Sequence, residues 1–379
     1  MSQRSRKLVY VTDLERRRAG GGSYVVNWNA ADQLEKRFAL KYAGPLTPRP
    51  PWIESTVSKV QRHVMKRPGR FAYFSPATLD ANARMVELEI DADADAVVFR
   101  SSARWCRSRP RVPYFVYLDA VFHTFYHNTF DPRSFVESDL ERIWKEEAEF
   151  LESASGVFFE SEWGLQQARH AYGLKGSHYY APGRGGVVEP PAADTWKPGT
   201  HALLTIALSF RQKGGDLVLE AYRSLKDRFP SLTWTIIGEA PDSEWKSIPG
   251  ITHEGALDLE NTADREKFTK LMAEAFAIVH PTREDTSPLV LTEAAYFGCP
   301  AVSVNRFAIP ELVTDGVTGI LVDPPASASD VAAAIARMIE YDDVYRSMRR
   351  EARERSIARF SWPAIGKFMG DRIDERLSA

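Results

Sequence analysis

From His201 to Asp323 the chain alternates short apolar runs with amphipathic stretches, and this alternation constrains the fold more than any other feature. HALLTIAL, LTWTIIG, AFAIVH, PAVSVN and GILVD have strand length and are bounded by polar or Gly/Pro-containing connections. Residues 216–229 place Val218, Ala221, Tyr222, Leu225 and Phe229 on one helical face, 264–275 forms a second helix, a third follows Pro288, and a short one lies near 308–314. Strand–helix–strand repetition with short connections requires a parallel, doubly wound sheet covered by helices. Helical stretches at 328–340, 342–358 and 362–377 close the chain.

The first half repeats the theme less regularly. KLVYVT is a strand that leads towards the turn GGGS, and VVNWNAADQLEKRF is a helix. Strands are expected at FAYFS, AVVFRSS, PYFVYL, GVFFES and SHYYAP, and a helix over 136–153 with Leu140, Ile143, Trp144 and Leu151 on its apolar stripe. PGRGGVVEPPAADTWKPG, dense in Pro and Gly, reads as an inter-domain connection. The expected architecture is α/β, with two Rossmann-like doubly wound domains, 1–190 and 195–361, facing a central cleft. Ligands then belong outside the carboxyl ends of the strands.

Composition removes several function classes. Lys and Arg number 49 against 51 Asp and Glu, a net charge of −2, so no nucleic-acid partner is indicated. Cys106 and Cys299 lie far apart in no CxxC pattern, which suggests neither a disulfide framework nor a zinc cluster and fits a reducing cytosol. The basic start MSQRSRKLVYVTDLERRR has too short an apolar run for a signal-peptide core, and no stretch has the length to span a bilayer. The expectation is a cytoplasmic protein, with peripheral association at the inner face of the membrane left open.

The stretch HPTREDTSPLVLTEAA, His280 to Ala295, concentrates the chemistry. Ser287 suits an N-cap, Pro288 the first helical position and Gly298 the C′ stop. The helix between them is apolar on nearly every face except for Glu293. A buried carboxylate needs a donor. Either a neighbouring Arg or Lys supplies it, or two adjacent ribose hydroxyls do. Asp285 precedes the same helix, and the amides from Ser287 and Pro288 to Leu289 and Val290 mark a helix start suited to a phosphate. In SFRQKGGDLVLEA, Arg211 and Lys213 sit in a strand-to-helix loop where Gly214 and Gly215 let the backbone approach closely. Cations there can neutralise a departing diphosphate, although such a loop is also an ordinary solvated turn.

Three weaker features favour bland explanations. DADADAV (Asp91 to Val97) contains Asp–x–Asp but leads into a strand, as a solvated turn does. HTFYH spaces His123 and His127 for a common helix face, yet lacks a third ligand, so no metal is expected. Asp119, ending the strand PYFVYL, and His123 are candidates for a place near the transferred group, with capping or packing as the alternative. GGGS lacks both the P-loop lysine and the GxGxxG spacing.

The stretch from Glu284 to Glu293, followed by AAYFGCPAVSVNRFAIPELVTDGVTGILVDP, resembles the signature of retaining GT-B glycosyltransferases of the family-4 (group 1) type. Asp285 and Glu293 match its two acidic positions, Lys213 and Gly214 match its Lys–Gly loop, and FSWPAIGKFMGDRI is similar to its terminal helix. The resemblance is continuous from about residue 156 onward and implies that helix 362–379 packs back on the first domain. It further implies that Glu293 holds the ribose of a nucleotide-diphosphate sugar and that Asp285 reaches the donor sugar. Arg211 and Lys213 would stabilise the leaving diphosphate with help from the amides near Ser287. Gly20, Gly21 and Gly22 match the glycine-rich loop near the donor phosphates. Two departures from the pattern stand out: Asp replaces Glu at 285, and Ala207-Leu208 occupy the usual Gly–Arg position. The implied activity is metal-independent transfer, without a cofactor, to an acceptor that is a glycan, a lipid-linked molecule or a small molecule. The implied setting is bacterial surface polysaccharide or glycolipid assembly. The rival readings are a nucleotide-sugar epimerase on the same architecture and an inactive sugar-nucleotide-binding or scaffold protein.

Overall fold

The structure is a computed structural model and describes residues 5–18, 21–239 and 243–378. It divides into two compact units, one running to Arg184 and including the chain from Ile365 on, the other Gly185–Ala364.

The first unit contains β1 (Lys7–Val11), α1 (Gly22–Glu35), β2 (Ala39–Ala43), α2 (Trp52–His63), α3 (Pro76–Glu89), β3 (Ala96–Arg100) and β4 (Tyr114–Leu118). It continues through α4 (Phe122–Thr129), α5 (Glu137–Glu152), β5 (Gly156–Phe159), α6 (Glu162–Tyr172) and β6 (Tyr179–Tyr180). The second contains β7 (His201–Ala207), α7 (Gly215–Lys226), β8 (Leu232–Gly238), β9 (Ile251–His253), α8 (Thr262–Glu274) and β10 (Ala277–His280). It continues with α9 (Leu289–Tyr296), β11 (Ala301–Val304), α10 (Ile309–Leu312), β12 (Gly319–Val322), α11 (Ala328–Glu340) and α12 (Asp342–Phe360). The last helix, α13 (Trp362–Ser378), groups with the first unit from Ile365 on.

The sheet orders are β2-β1-β3-β4-β5-β6 and β12-β11-β10-β7-β8-β9, and every pairing is parallel. Central strands β3, β4, β10 and β11 are buried at every residue, which explains why they appear in the sequence as largely apolar runs, broken only by Arg100, His280 and Ser303, rather than alternating ones. Each sheet reverses its strand order once. In the second, the chain runs from β7 to β8 and β9 on one side, then returns to place β10 on the other side of β7. In the first, the same reversal lies between β1 and β3. Such switch points leave a crevice outside the carboxyl ends of the two flanking strands. Within the first unit, Arg37 pairs with Asp371 and Asp374, each at 2.6 Å, and Arg6 with Asp374 at 2.8 Å.

One strand expected from the sequence is absent. FAYFS forms a short 3₁₀ turn at 72–74 instead. Its rings fill an aromatic cluster rather than a ladder: Phe71 lies 4.1 Å from Phe135 and meets Phe122 edge-on at 5.3 Å. Strands β2 and β9 and helices α2 and α3 are not marked by the periodicity.

Candidate functional site

The loops leaving β7 and β10, on either side of the second switch point, are tied into one unit. The Arg283 amide donates to Gln212 O at 2.9 Å, and Thr282 Oγ1 donates to the same carbonyl at 3.3 Å. Arg283 also forks onto Asp216 with bonds of 2.8 and 3.0 Å and reaches the carbonyl of Arg211. Gly214 is left-handed at φ 78°, and a Cβ there would lie 2.2 Å from the carbonyl oxygen of Pro281. Only glycine meets both conditions, so the Lys213-Gly214 pair is what lets the first loop lie against the second.

At the centre of this clasp, Lys213 Nζ donates to Asp285 Oδ2 at 2.5 Å, with the two side chains 26% and 25% exposed. Thr282 Oγ1 accepts from the Asp285 amide at 3.0 Å and fixes the turn. Buried beneath it, His280 ends β10 with Nε2 3.5 Å from the same carboxylate oxygen, and neither ring nitrogen has a hydrogen-bond partner among the described residues. Burial acts first to raise the Asp285 carboxyl, but His280 and the Lys213 ammonium outweigh it and hold the group well below the usual carboxylate range. Burial likewise pushes the His280 imidazole down, against the pull of Asp285. His280 is the member of this cluster that motif reasoning misses. Its signal is a lone histidine closing an otherwise apolar buried strand directly before the motif.

Helix α9 begins one residue later than Ser287 would allow. Pro288 is the N-cap, with φ −71° and ψ 119°, and no side chain caps the helix. Pro288 brings no N–H, so the amides heading the helix belong to Leu289 and Val290 rather than to Ser287 and Pro288. Gly298 follows the C-cap Phe297 at φ 71°, as a C′ glycine should.

Glu293 is 3% exposed, and its donor comes from the protein. Oε1 accepts from the Val187 amide at 2.6 Å. Gly186 packs so closely that a Cβ would sit 2.6 Å from Glu293 Cγ, and its amide donates to Tyr296 Oη at 3.1 Å. A bound ligand is therefore not required to explain a carboxylate in this apolar helix. The donor to Oε1 is a backbone amide, neither the Arg or Lys nor the ribose hydroxyls that the sequence offers as alternatives.

In the first unit, Asp119 is exposed at the end of β4 and accepts from the Ala120 amide at 2.7 Å. His123 stands in the first turn of α4, half-buried between His127 at 4.2 Å and Trp144 at 4.9 Å. Burial first, and His127 second, push its imidazole down. A second residue unnoticed in the sequence holds this helix in place. Glu147, fully buried, accepts from Phe122 N at 2.9 Å, from Tyr172 Oη at 2.5 Å and from Ser102 Oγ. Tyr172 Oη in turn accepts from His123 N at 3.1 Å. Burial drives the Glu147 carboxyl up to about 7 in spite of these donors. Its sequence signal is an acidic residue on the inward stripe of α5, in line with Ile143 and Leu151.

Gly21 is the N-cap of α1, left-handed at φ 101° with open space where a Cβ would be, and Gly22 is the first helical residue. Gly20 lies outside the described residues. The acidic run pairs with lysines: Asp91 with Lys41 at 3.1 Å and Asp93 with Lys7, while Asp95 accepts from the Lys7 amide at 2.7 Å. Among the described residues no group of three or more His, Cys, Asp or Glu side chains is placed to hold a metal, and no helix is long and apolar enough to cross a membrane.

Comparison with known proteins places this site in a family context. Residues 193–355 match the model for glycosyl transferases group 1. A glycogen synthase of Mycobacterium tuberculosis is 28% identical over 178 residues, covering 46% of this chain and 43% of that protein. The chain thus spans less than half the length of this relative. Among solved structures, sucrose-phosphate synthase from Thermosynechococcus elongatus superposes with a TM-score of 0.67 at 17% identity, covering 98% of this chain and 100% of the other. Anabaena HepE in complex with UDP gives 0.63 at 15% identity, covering 97% and 100%. Both describe the fold. Residues 193–355 are thus similar to group 1 glycosyltransferases, and the two parallel sheets are those of the GT-B fold.

Proposed function

We propose that this protein transfers a sugar from a nucleotide-diphosphate donor to an acceptor, with retention at the anomeric carbon and without a metal or other cofactor. The observation that carries this reading is the clasp of the 209–215 and 281–287 loops at a switch point inside the segment that matches the group 1 model. Breaking the anomeric bond builds oxocarbenium character on the sugar and negative charge on the diphosphate. Groups held in place before the reaction, and aimed at that diphosphate, lower the barrier most. Lys213, Arg211, the Gly214 backbone and the amides of Leu289 and Val290 are the groups assigned to it. Asp285 accepts one of the three ammonium protons of Lys213, which leaves that cation able to donate to a phosphate as well. Asp285 is assigned to the hydroxyls of the donor sugar, Glu293 to the ribose, and Gly21 and Gly22 to the phosphates. Asp119 and His123 are assigned a role towards the transferred group.

A UDP-bound structure among the fold neighbours supports a nucleoside diphosphate as the ligand class. The relatives include a glycogen synthase and a phosphatidyl-myo-inositol mannosyltransferase, which supports a role in glycan or glycolipid assembly. Incubation with a panel of nucleotide sugars tests the reading. Released nucleotide with slow sugar hydrolysis supports transfer. An isomerised nucleotide sugar would point to an epimerase, and binding without turnover to a scaffold.

A further inference from the structure

Helix α2 is oriented opposite to an ordinary surface helix. Its polar side faces the protein: Ser58 is buried and donates to the carbonyl of Arg70 at 2.6 Å, and the Arg62 guanidinium lies 4.6 Å from the centre of the Phe135 ring. Its apolar side is open. Ile53, Val57, Val60 and Val64 follow the spacing of a single helical stripe and are 57, 49, 43 and 73% exposed. Trp52, at 76%, and Met65, at 52%, extend this surface at the two ends of the helix. Water alone gives no reason to hold four aliphatic side chains and a tryptophan outward while a serine is buried.

The charge around this stripe is equally one-sided. Between residues 49 and 70, besides the inward-facing Arg62, the cations Arg49, Lys59, Lys66, Arg67 and Arg70 stand against a single acidic residue, Glu54, in a chain whose net charge is −2. His63 adds a further group that can become cationic. A helix of about 18 Å, with an apolar stripe, a terminal tryptophan and flanking cations, has the make-up of one lying in a lipid interface. A second copy of this chain is a poorer occupant, because a two-fold contact would set the same cations against one another.

We propose that α2 and the basic segment following it dock the protein on an anionic lipid bilayer, with the 53/57/60/64 stripe in the acyl boundary and the cations among the headgroups. This inference is independent of the donor site and is tested without any nucleotide sugar. The full chain is sedimented with vesicles of phosphatidylcholine alone or of equal parts phosphatidylcholine and phosphatidylglycerol. Binding to the mixed vesicles should exceed that to neutral ones at least tenfold, and the double change Val57→Glu/Val64→Glu should abolish the difference.

A second readout does not depend on that variant folding. Cys106 and Cys299 are buried, so an environment-sensitive dye reacts selectively with a Val60→Cys protein. Its emission should brighten and shift to the blue on the mixed vesicles. Unchanged emission, or equal sedimentation with both lipid compositions, overturns the proposal. A concentration-dependent dimer that Val57→Glu/Val64→Glu dissolves would give the face to a second copy and also overturn it.

Discussion

Replacing Lys213 by methionine isolates the charge at the centre of the clasp, since most of the stem stays while the ammonium goes. In the wild type that ammonium lies 2.5 Å from Asp285, and both side chains are about a quarter exposed. Two unit charges about 4 Å apart at an effective dielectric constant near 20 attract by about 4 kcal/mol. Desolvation and partial exposure reduce the net value to about 1–2 kcal/mol. The pH dependence gives the test its sign. The folded Asp285 carboxyl is depressed, so its contribution to stability is present above an unfolded value of about 3.9. That contribution is lost as pH falls through the lower folded value. Without Lys213, burial is opposed by His280 alone, and the carboxyl moves back up.

Urea titrations read by hydrogen exchange in peptides covering 277–297 report the second unit rather than a chain-wide transition. Between pH 6 and 8 the variant should be less stable by that ~1–2 kcal/mol, and the gap should close only once pH falls below the variant's own folded Asp285 value, towards the more depressed wild-type one. No gap between pH 6 and 8, or an Asp285 carboxyl that titrates no higher in the variant than in the wild type, would refute the electrostatic account of the pair.

Gly214→Ala puts a methyl group into the Pro281 carbonyl from a left-handed backbone, so the second unit should lose at least about 2 kcal/mol. Calorimetry should also show a tenfold or greater loss of nucleoside-diphosphate affinity. Glu147→Gln should flatten a pH dependence in the first unit. A carboxyl raised to about 7 contributes stability below about 4.5 that is lost as pH rises to 7. The span is about 3 kcal/mol, followed by exchange in peptides covering 114–129. Glu293→Ala separates two roles. If the carboxylate binds ribose, the preference for UDP over its 2′,3′-dideoxy analogue disappears. If it serves only the Val187 amide, both ligands weaken equally.

Much of the second unit is legible in the sequence because its central strands β10 and β11 are buried on both faces and helices such as α7 and α11 carry one apolar stripe each. The first unit hides more, for identifiable reasons. Strand β2 is an edge strand, half-exposed, so ALKYA carries no clean apolar run. Helix α2 points its apolar residues outward, which reverses the rule by which amphipathic helices are placed. FAYFS has strand composition, but its rings find partners in Phe122 and Phe135 that lie far along the chain.

At the site, the loop residues Lys213, Gly214 and Asp285 are brought together as their positions at strand ends suggest, although nothing local indicates that Lys213 and Asp285 would pair. Ser287 loses the cap because Pro288 already holds the extended backbone that a cap requires. The partner of Glu293 is invisible to any local pattern, since Val187 is 106 positions away.

The most direct measurement is calorimetric titration of a panel of nucleoside diphosphates and their parent nucleosides into the wild-type chain and the Lys213→Met variant. The clasp predicts that at least one diphosphate binds, that its nucleoside binds far more weakly, and that removing the Lys213 ammonium costs at least tenfold for the diphosphate alone. A diphosphate that binds no better than its nucleoside, or whose affinity ignores the loss of Lys213, would contradict the assignment of these two loops to the donor.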